Sequence, residues 1–228
     1  MLRKIFKTSI GIFLLIILPL ELWAEGTVTG QLSLKNSWGK QKKDASNCFV
    51  YIFGKDYVEK GEGIADELPQ QKKNFTKRSV AIVQGASIDF PNRDPIYHNV
   101  FSSSAKLDPR LDLGHYKKST KQYQFNQPGN YQLFCNIHPN MVSNVLVLPN
   151  KAFARVKPDG SFRIENVRDG DWFIGVWSPS AKAPSKAPVK VLPGKVVSAN
   201  LELTDRLPEV PEHTKKDGES YEDDNDYP

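Results

Sequence analysis

Residues 126–150 read NQPGNYQLFCNIHPNMVSNVLVLPN, and their pattern decides the fold. Pro128-Gly129 makes a turn, the residues up to Cys135 form a strand, and Val145, Leu146, Val147 and Leu148 form another after an irregular loop. The loop holds Cys135, His138 and Met141, although the chain has only two cysteines, four histidines and two methionines, one of which is the initiator. A thiol, an imidazole and a thioether gathered within seven residues suggest a soft transition-metal site on the loop after the first of these strands.

Outward from this hairpin the same pattern recurs. SVAIVQGASIDF (79–90) places Val80 and Ile82, then Ala86, Ile88 and Phe90, on buried faces around a Gln84-Gly85 turn. PNRDP (91–95) breaks the chain before IYHNVFSS (96–103), which reads as a strand carrying His98. After Asn150, KPDGSFRIENVRDGDWFIGVW (157–177) has Asp-Gly turns at 159–160 and 169–170 and alternates through Phe162 and Ile164, then Trp172, Ile174 and Val176. Trp172 and Trp177, at odd separation, point to opposite faces, so at least one belongs to a core. APVKVLPGKVVSANLEL (187–203) reads as a hairpin about Pro193-Gly194. GTVTGQLSLKN (26–36) and NCFVYIFG (47–54) are further strands, while GKDYVEKGEGIADELPQQKKN (54–74) reads as a surface loop or linker. The fold class is all-β.

The 228 residues have 39% hydrophobic and 11% aromatic content, enough for one large domain or two small ones. Residues 1–24 carry Arg3, Lys4 and Lys7 ahead of an apolar run from Ile10 to Leu20, the pattern of an export signal cut after Ala24. That run is shorter than the roughly 20 residues a bilayer span needs, and no later segment is a candidate. An exported, periplasmic chain without transmembrane helix is expected once the signal is removed.

Removing the three basic and one acidic residue of 1–24 takes the net charge from +5 to +3. Residues 208–228 hold eight acidic and two basic residues, leaving a body near +9. That body favours acidic partners, and the acidic tail has too little apolar content to order itself. Export and the lack of any nucleic-acid motif argue against a nucleic-acid partner.

A thiolate, two imidazoles and a thioether suit copper cycling between two oxidation states: sulfur favours Cu(I), nitrogen tolerates both, and a weak axial thioether tunes the potential. His98, 37 positions before Cys135, is the foremost candidate for the remaining ligand; His115 and His213 are weaker. Other readings stay open. Cys48 and Cys135 in a disulfide would close a loop of 87 residues, worth roughly 4 to 5 kcal/mol, but would leave the histidines and Met141 without a role. A zinc site would make poor use of Met141. Haem attachment lacks its second cysteine, and four histidines are too few for a multicopper oxidase. Cys48, in CFVYIF, reads as a buried, inert thiol.

HNVFS (98–102), followed by Cys-x-x-His-x-x-Met with Pro139 after the histidine, resembles the blue copper proteins of the plastocyanin and azurin group, with a ligand loop most like that of amicyanin. The string DFPNRDPIYHNVFS...FCNIHPNM is similar to plastocyanin-like exported proteins labelled as methylamine utilisation proteins. The resemblance implies a Greek-key cupredoxin β-sandwich over 70–150 holding one type 1 copper ion. His98, Cys135 and His138 would be its trigonal ligands and Met141 its long axial ligand. Asn99 would tie the two ligand-bearing loops together and support the Cys135 sulfur, and Pro139 would stiffen the loop. The implied activity is single-electron carriage to and from a redox protein partner, with no bond chemistry and no enzyme.

DGSFRIENVRDGDWFIGVW and VKVLPGKVVSANLEL resemble the second half of a transthyretin-like sandwich, the carbohydrate-binding-like fold of peptidase regulatory domains. GTVTGQLSL and CFVYIF resemble its first strands. A discontinuous companion domain over 26–55 and 151–205 is expected, followed by a disordered acidic tail over 208–228; alternatively, CFVYIF belongs to the copper sandwich. A second functional reading is a copper-binding or delivery protein, or a cell-surface interaction module with a structural metal or a disulfide.

Overall fold

The computed structural model describes residues 25–104, 110–208 and 210–221. The expected export signal at 1–24 and the end of the acidic tail at 222–228 lie outside them. The described residues form strands and loops without a helix, as the alternating pattern requires. No helix among them is long and apolar enough to cross a membrane.

One sandwich is built from both ends of the chain. β1 (Glu25–Lys35) pairs antiparallel with β12 (Ser161–Arg168) and parallel with β15 (Val196–Ser198) and β16 (Leu201–Thr204). The opposing sheet runs in the order β11 (Phe153–Arg155), β2 (Phe49–Phe53), β13 (Gly170–Trp177) and β14 (Ser185–Val191). Val28, Leu32, Ile164 and Leu201 of one sheet meet Val50, Ile52, Ile174 and Val191 of the other in a single buried cluster. Two glycines are dictated by space. Gly160 turns with φ 88° where a Cβ would lie 2.5 Å from the Leu32 carbonyl oxygen. At Gly175 a Cβ would fall 2.6 Å from the Tyr51 ring. CFVYIF therefore belongs to this sandwich and not to the metal-bearing one.

The other sandwich occupies the middle of the chain. β6 (Ser79–Val83) pairs parallel with β10 (Val142–Leu148), which pairs antiparallel with β9 (Gly129–Phe134). Across its core lie β3 (Ile64–Glu67), β7 (Ser87–Pro91) and β8 (Thr120–Gln124). Val80, Ile82, Ile88, Phe90, Tyr131, Leu133, Val145 and Val147 fill the space between.

β10 explains how the two sandwiches join. All seven of its residues are buried. Successive side chains of a strand point to opposite faces. Val145 and Val147 therefore enter the metal-side core, while Leu146 and Leu148 meet Phe49 and Trp177 of the other sandwich. Trp172 packs on the far side of β13 against the first cluster, so both tryptophans are covered, on opposite faces. Arg155 reinforces the seam: its guanidinium lies over the Phe49 ring, 4.4 Å from the centroid, and donates to the Ser79 carbonyl at 2.7 Å.

Four expectations need correction. Residues 54–74 are not simply loop: they contain β3, β4 (Gln70–Gln71) and β5 (Asn74–Phe75). β3 is recognisable only through its parallel pairing with β7, since Ile64 is exposed and no apolar alternation marks it. Residues 96–103 make no strand but a set of single bridges, His98 to Tyr116 and Phe101 to both Asp112 and Phe134. Pro193-Gly194 does turn, with φ 63° at Gly194, but the chain then crosses to the opposite sheet, where β15 pairs with β1. Finally, residues 210–221 of the acidic tail are packed against the metal-side sandwich, because His213 and Tyr221 supply the aromatic surface that the acidic count conceals.

Candidate metal centre

The β9–β10 hairpin sets the geometry of the ligand loop. Phe134 and Val142 are paired across the ladder, so Cys135 and Met141 follow and precede them at the base of the loop. Both are fully buried in the metal-side core. Inside the loop the Met141 N–H donates to the His138 carbonyl at 3.1 Å. Phe101 bridges to Phe134 with bonds of 3.0 and 2.9 Å, which brings the segment carrying His98 and Asn99 alongside Cys135.

His98, Cys135 and His138 converge, with one ligand atom from each lying within 4.8 Å of the others. His98 Nδ1 is 3.1 Å from His138 Nδ1, and Cys135 Sγ is 3.6 Å from His138 Nδ1. Two atoms bound to one ion through bonds of about 2.0 to 2.3 Å lie no more than about 4.6 Å apart, so these separations fit a shared ion. His98 and Cys135 are fully buried, and His138 is 6% exposed. Asn99 Oδ1 accepts the Asn136 N–H at 2.6 Å, joining the two segments. Pro139 is partly exposed on the loop. His115 is exposed, and neither it nor His213 joins the cluster. Cys48 and Cys135 are both free and lie in different cores, so no disulfide links them.

Burial pushes the Cys135 thiol up, and the backbone N–H groups of Asn99, Ile137 and His138 partly offset this by favouring the thiolate. Those groups are the supports a bound metal thiolate would use. Cys48 has weaker support: burial, with the charge of Asp205 next, pushes its thiol to about 12 and leaves it inert.

Sequence reasoning missed Asp94. Its Oδ2 is 2.8 Å from His98 Nε2, and its two oxygens accept the Lys72 and Lys73 N–H groups at 2.7 and 2.9 Å. Burial alone would raise the Asp94 carboxyl, but the Lys73 N–H, His98 and the Lys72 N–H together hold it below the usual range. An ionised Asp94 keeps the Nε2 proton on His98 and turns Nδ1, free of that proton, towards His138 and Cys135. Lys72 and Lys73 form the two-residue turn between β4 and β5 with φ of 55° and 56°, the left-handed pair of a type I′ turn usually given to Asn-Gly. The buried carboxylate thus holds both this strained turn and the His98 ring. The spacing of Asp94 and His98 gave no signal, because a four-residue interval implies contact only on a helix. Here the Asn92 side chain folds the loop instead, accepting the Asp94 N–H and donating to the Ile96 and Tyr116 carbonyls.

The contacts of residues 210–221 with this centre were missed as well. Tyr221 Oη donates to the Cys135 carbonyl at 2.9 Å, and the Lys216 N–H donates to Asn136 Oδ1 at 2.9 Å. Lys216 Nζ is 2.7 Å from Asp112 Oδ2. The His213 ring stacks on Phe134, 4.3 Å between centroids.

No family model matches the chain, and no curated protein matches it. Among solved structures, the chain is similar to a purple cupredoxin from Nitrosopumilus maritimus, with 18% identity over 36% of this chain and 99% of that one and a TM-score of 0.33. It is also similar to a reduced mutant of amicyanin, with 21% identity over 43% of this chain and 98% of that one and a TM-score of 0.35. The third is a copper-containing nitrite reductase from Thermus scotoductus, with 16% identity and a TM-score of 0.35, of which the matched 43% of this chain spans 25%.

Proposed function

We propose that this chain is an exported, cupredoxin-like copper protein that carries single electrons between redox partners. The observation that carries this reading is the buried convergence of His98, Cys135 and His138 within 4.8 Å. Met141, buried at the base of the same loop, would complete the set as a weak axial ligand. A bound copper ion would supply a one-electron couple without bond making or breaking.

The residues do the rest. Asp94 and the 98–101 bridges fix His98, the paired strands fix Cys135 and Met141, and burial excludes water from the ligand atoms. A rigid donor set changes little between oxidation states, which favours fast outer-sphere transfer and leaves no place for a substrate. His138, the most exposed of the three, is the route to the surface. A body near +9 between the leader and the acidic tail suits a partner with an acidic docking face.

The test is the visible spectrum of the mature protein after addition of Cu(II), with Cys135→Ser alongside. An intense band near 600 nm (roughly, as expected for copper-thiolate charge transfer) that vanishes in the variant supports the carrier. Copper that binds without such a band, and leaves readily to a chelator, would point instead to a copper-delivery protein.

A further inference from the structure

We propose that residues 210–221 are a built-in strap that covers the Cys135–Asn136 edge of the metal loop and positions Cys135, with Tyr221 as its anchor. The structural part of this inference stands on contacts alone; its consequence for an ion rests on the copper reading.

The strap is attached by chemically different contacts at separate points. At one end the His213 ring lies on Phe134, the residue before Cys135, and the Tyr221 ring meets the same imidazole edge-on at 5.2 Å. In the middle, Lys216 binds the loop through Asn136 and the neighbouring segment through Asp112. Asp112 also accepts from Asn99 Nδ2 at 3.4 Å, so the strap reaches both segments that supply ligands. At the other end the Tyr221 hydroxyl donates to the carbonyl of Cys135 itself. The strap has its own fold: Gly218, with φ 90°, closes a turn in which the Gly218 N–H bonds to the Lys215 carbonyl and the Lys215 N–H to the Glu219 carbonyl. The Tyr221 side chain is itself partly buried against the protein.

A consequence follows. The Cys135 carbonyl and the Asn136 side-chain oxygen are both taken by the strap. A partner or small thiol reagent approaching from that side must displace it.

The test uses metal-free full-length protein carrying Cys48→Ser, so that Cys135 is the sole thiol. The rate at which Cys135 cleaves an aromatic disulfide reagent, read as release of the coloured thiolate, reports exposure of that edge without any metal. A chain ending at Leu207 is expected to react at least about tenfold faster, and a synthetic peptide of residues 208–228 should slow it again. Tyr221→Phe keeps the ring on His213 and removes only the hydroxyl bond, so a rise of about two- to tenfold is expected. Equal rates for the full and shortened chains at equal unfolding temperature would overturn the strap. If shortening lowers the unfolding temperature, Tyr221→Phe and Lys216→Ala decide: unchanged rates in both overturn it, and raised rates support it. A failed copper spectrum would leave these thiol rates unaffected, so the two readings fail separately.

Discussion

The two sandwiches of this protein are held together differently. In the one built from both chain ends, strands pair edge to edge and their alternating side chains fill a single core, with turns closed by glycines such as Gly160. In the one that carries His98, Cys135 and His138, the residues between β7 and β8 form no strand among those described, and side chains take over the work of the ladder: Asn92, Asp94 and Asn99 each bind backbone groups of neighbouring segments. A strand ladder cannot aim two imidazoles and a thiol at one point, because its side chains alternate on a fixed pitch. Loops pinned by buried polar groups can, at the cost of depending on a few residues.

Core deletions should affect both regions strongly and to a similar degree. Phe90→Ala in the metal-side core is expected to cost about 3 to 5 kcal/mol and Ile52→Ala in the other about 2 to 5, measured by urea unfolding. Leu146→Ala, in the seam, should cost somewhat less, about 2 to 3 kcal/mol, and is the variant that separates the two regions. Calorimetry of the unaltered chain should give one transition and of this variant two. A single sharp transition in both would mean that the sandwiches are coupled by more than the Phe49, Leu146, Leu148 and Trp177 cluster.

The difference between the regions sharpens at their carboxylates. Asp94→Asn should destabilise by about 1 to 3 kcal/mol, since it leaves buried donors unpaired. The same change should weaken copper binding by about 10- to 100-fold, read by competition with a chelator. Asp159→Asn, at a solvent turn where Oδ1 accepts the Ser161 N–H, should leave both unfolding and copper binding unmoved. A small but non-zero effect is expected at Asp112. Its carboxyl is pushed up by burial, but the bonds from Lys216 and Gly114 win and hold it below the usual range. A lowered folded pKa means that the stabilisation is present above the unfolded value, near pH 4, and is lost as pH falls through the folded one. The side chain is 34% exposed, so the contribution is a few tenths of a kcal/mol after screening. The unfolding free energy should therefore be independent of Asp112 protonation above about pH 5 and fall by a few tenths of a kcal/mol in stronger acid, a loss that Lys216→Ala should not show.

The sequence carried most of the regular structure. Alternation at Val80 and Ile82, at Phe162 and Ile164, and at Ile174 and Val176 marked true strands. The apolar run Val145 to Leu148 marked a strand, and its burial on both faces marks the seam between the sandwiches. The spacing of Cys135, His138 and Met141 located the candidate site, because three metal-binding side chains on one short loop leave a local trace. β3 left none, since an exposed parallel edge is defined by its partner and not by its own residues.

What the sequence determined by itself was the all-β class, the turns and the clustering of Cys135, His138 and Met141 on one loop, all of which follow from near-neighbour chemistry. The tertiary structure alone decided that CFVYIF and the last strands build one sandwich around the ends of the chain. It alone placed Asp94 behind His98 and laid Tyr221 across Cys135. Each of these joins residues through irregular or distant backbone, where no period links position to direction, and only the folded path settles which polar groups meet.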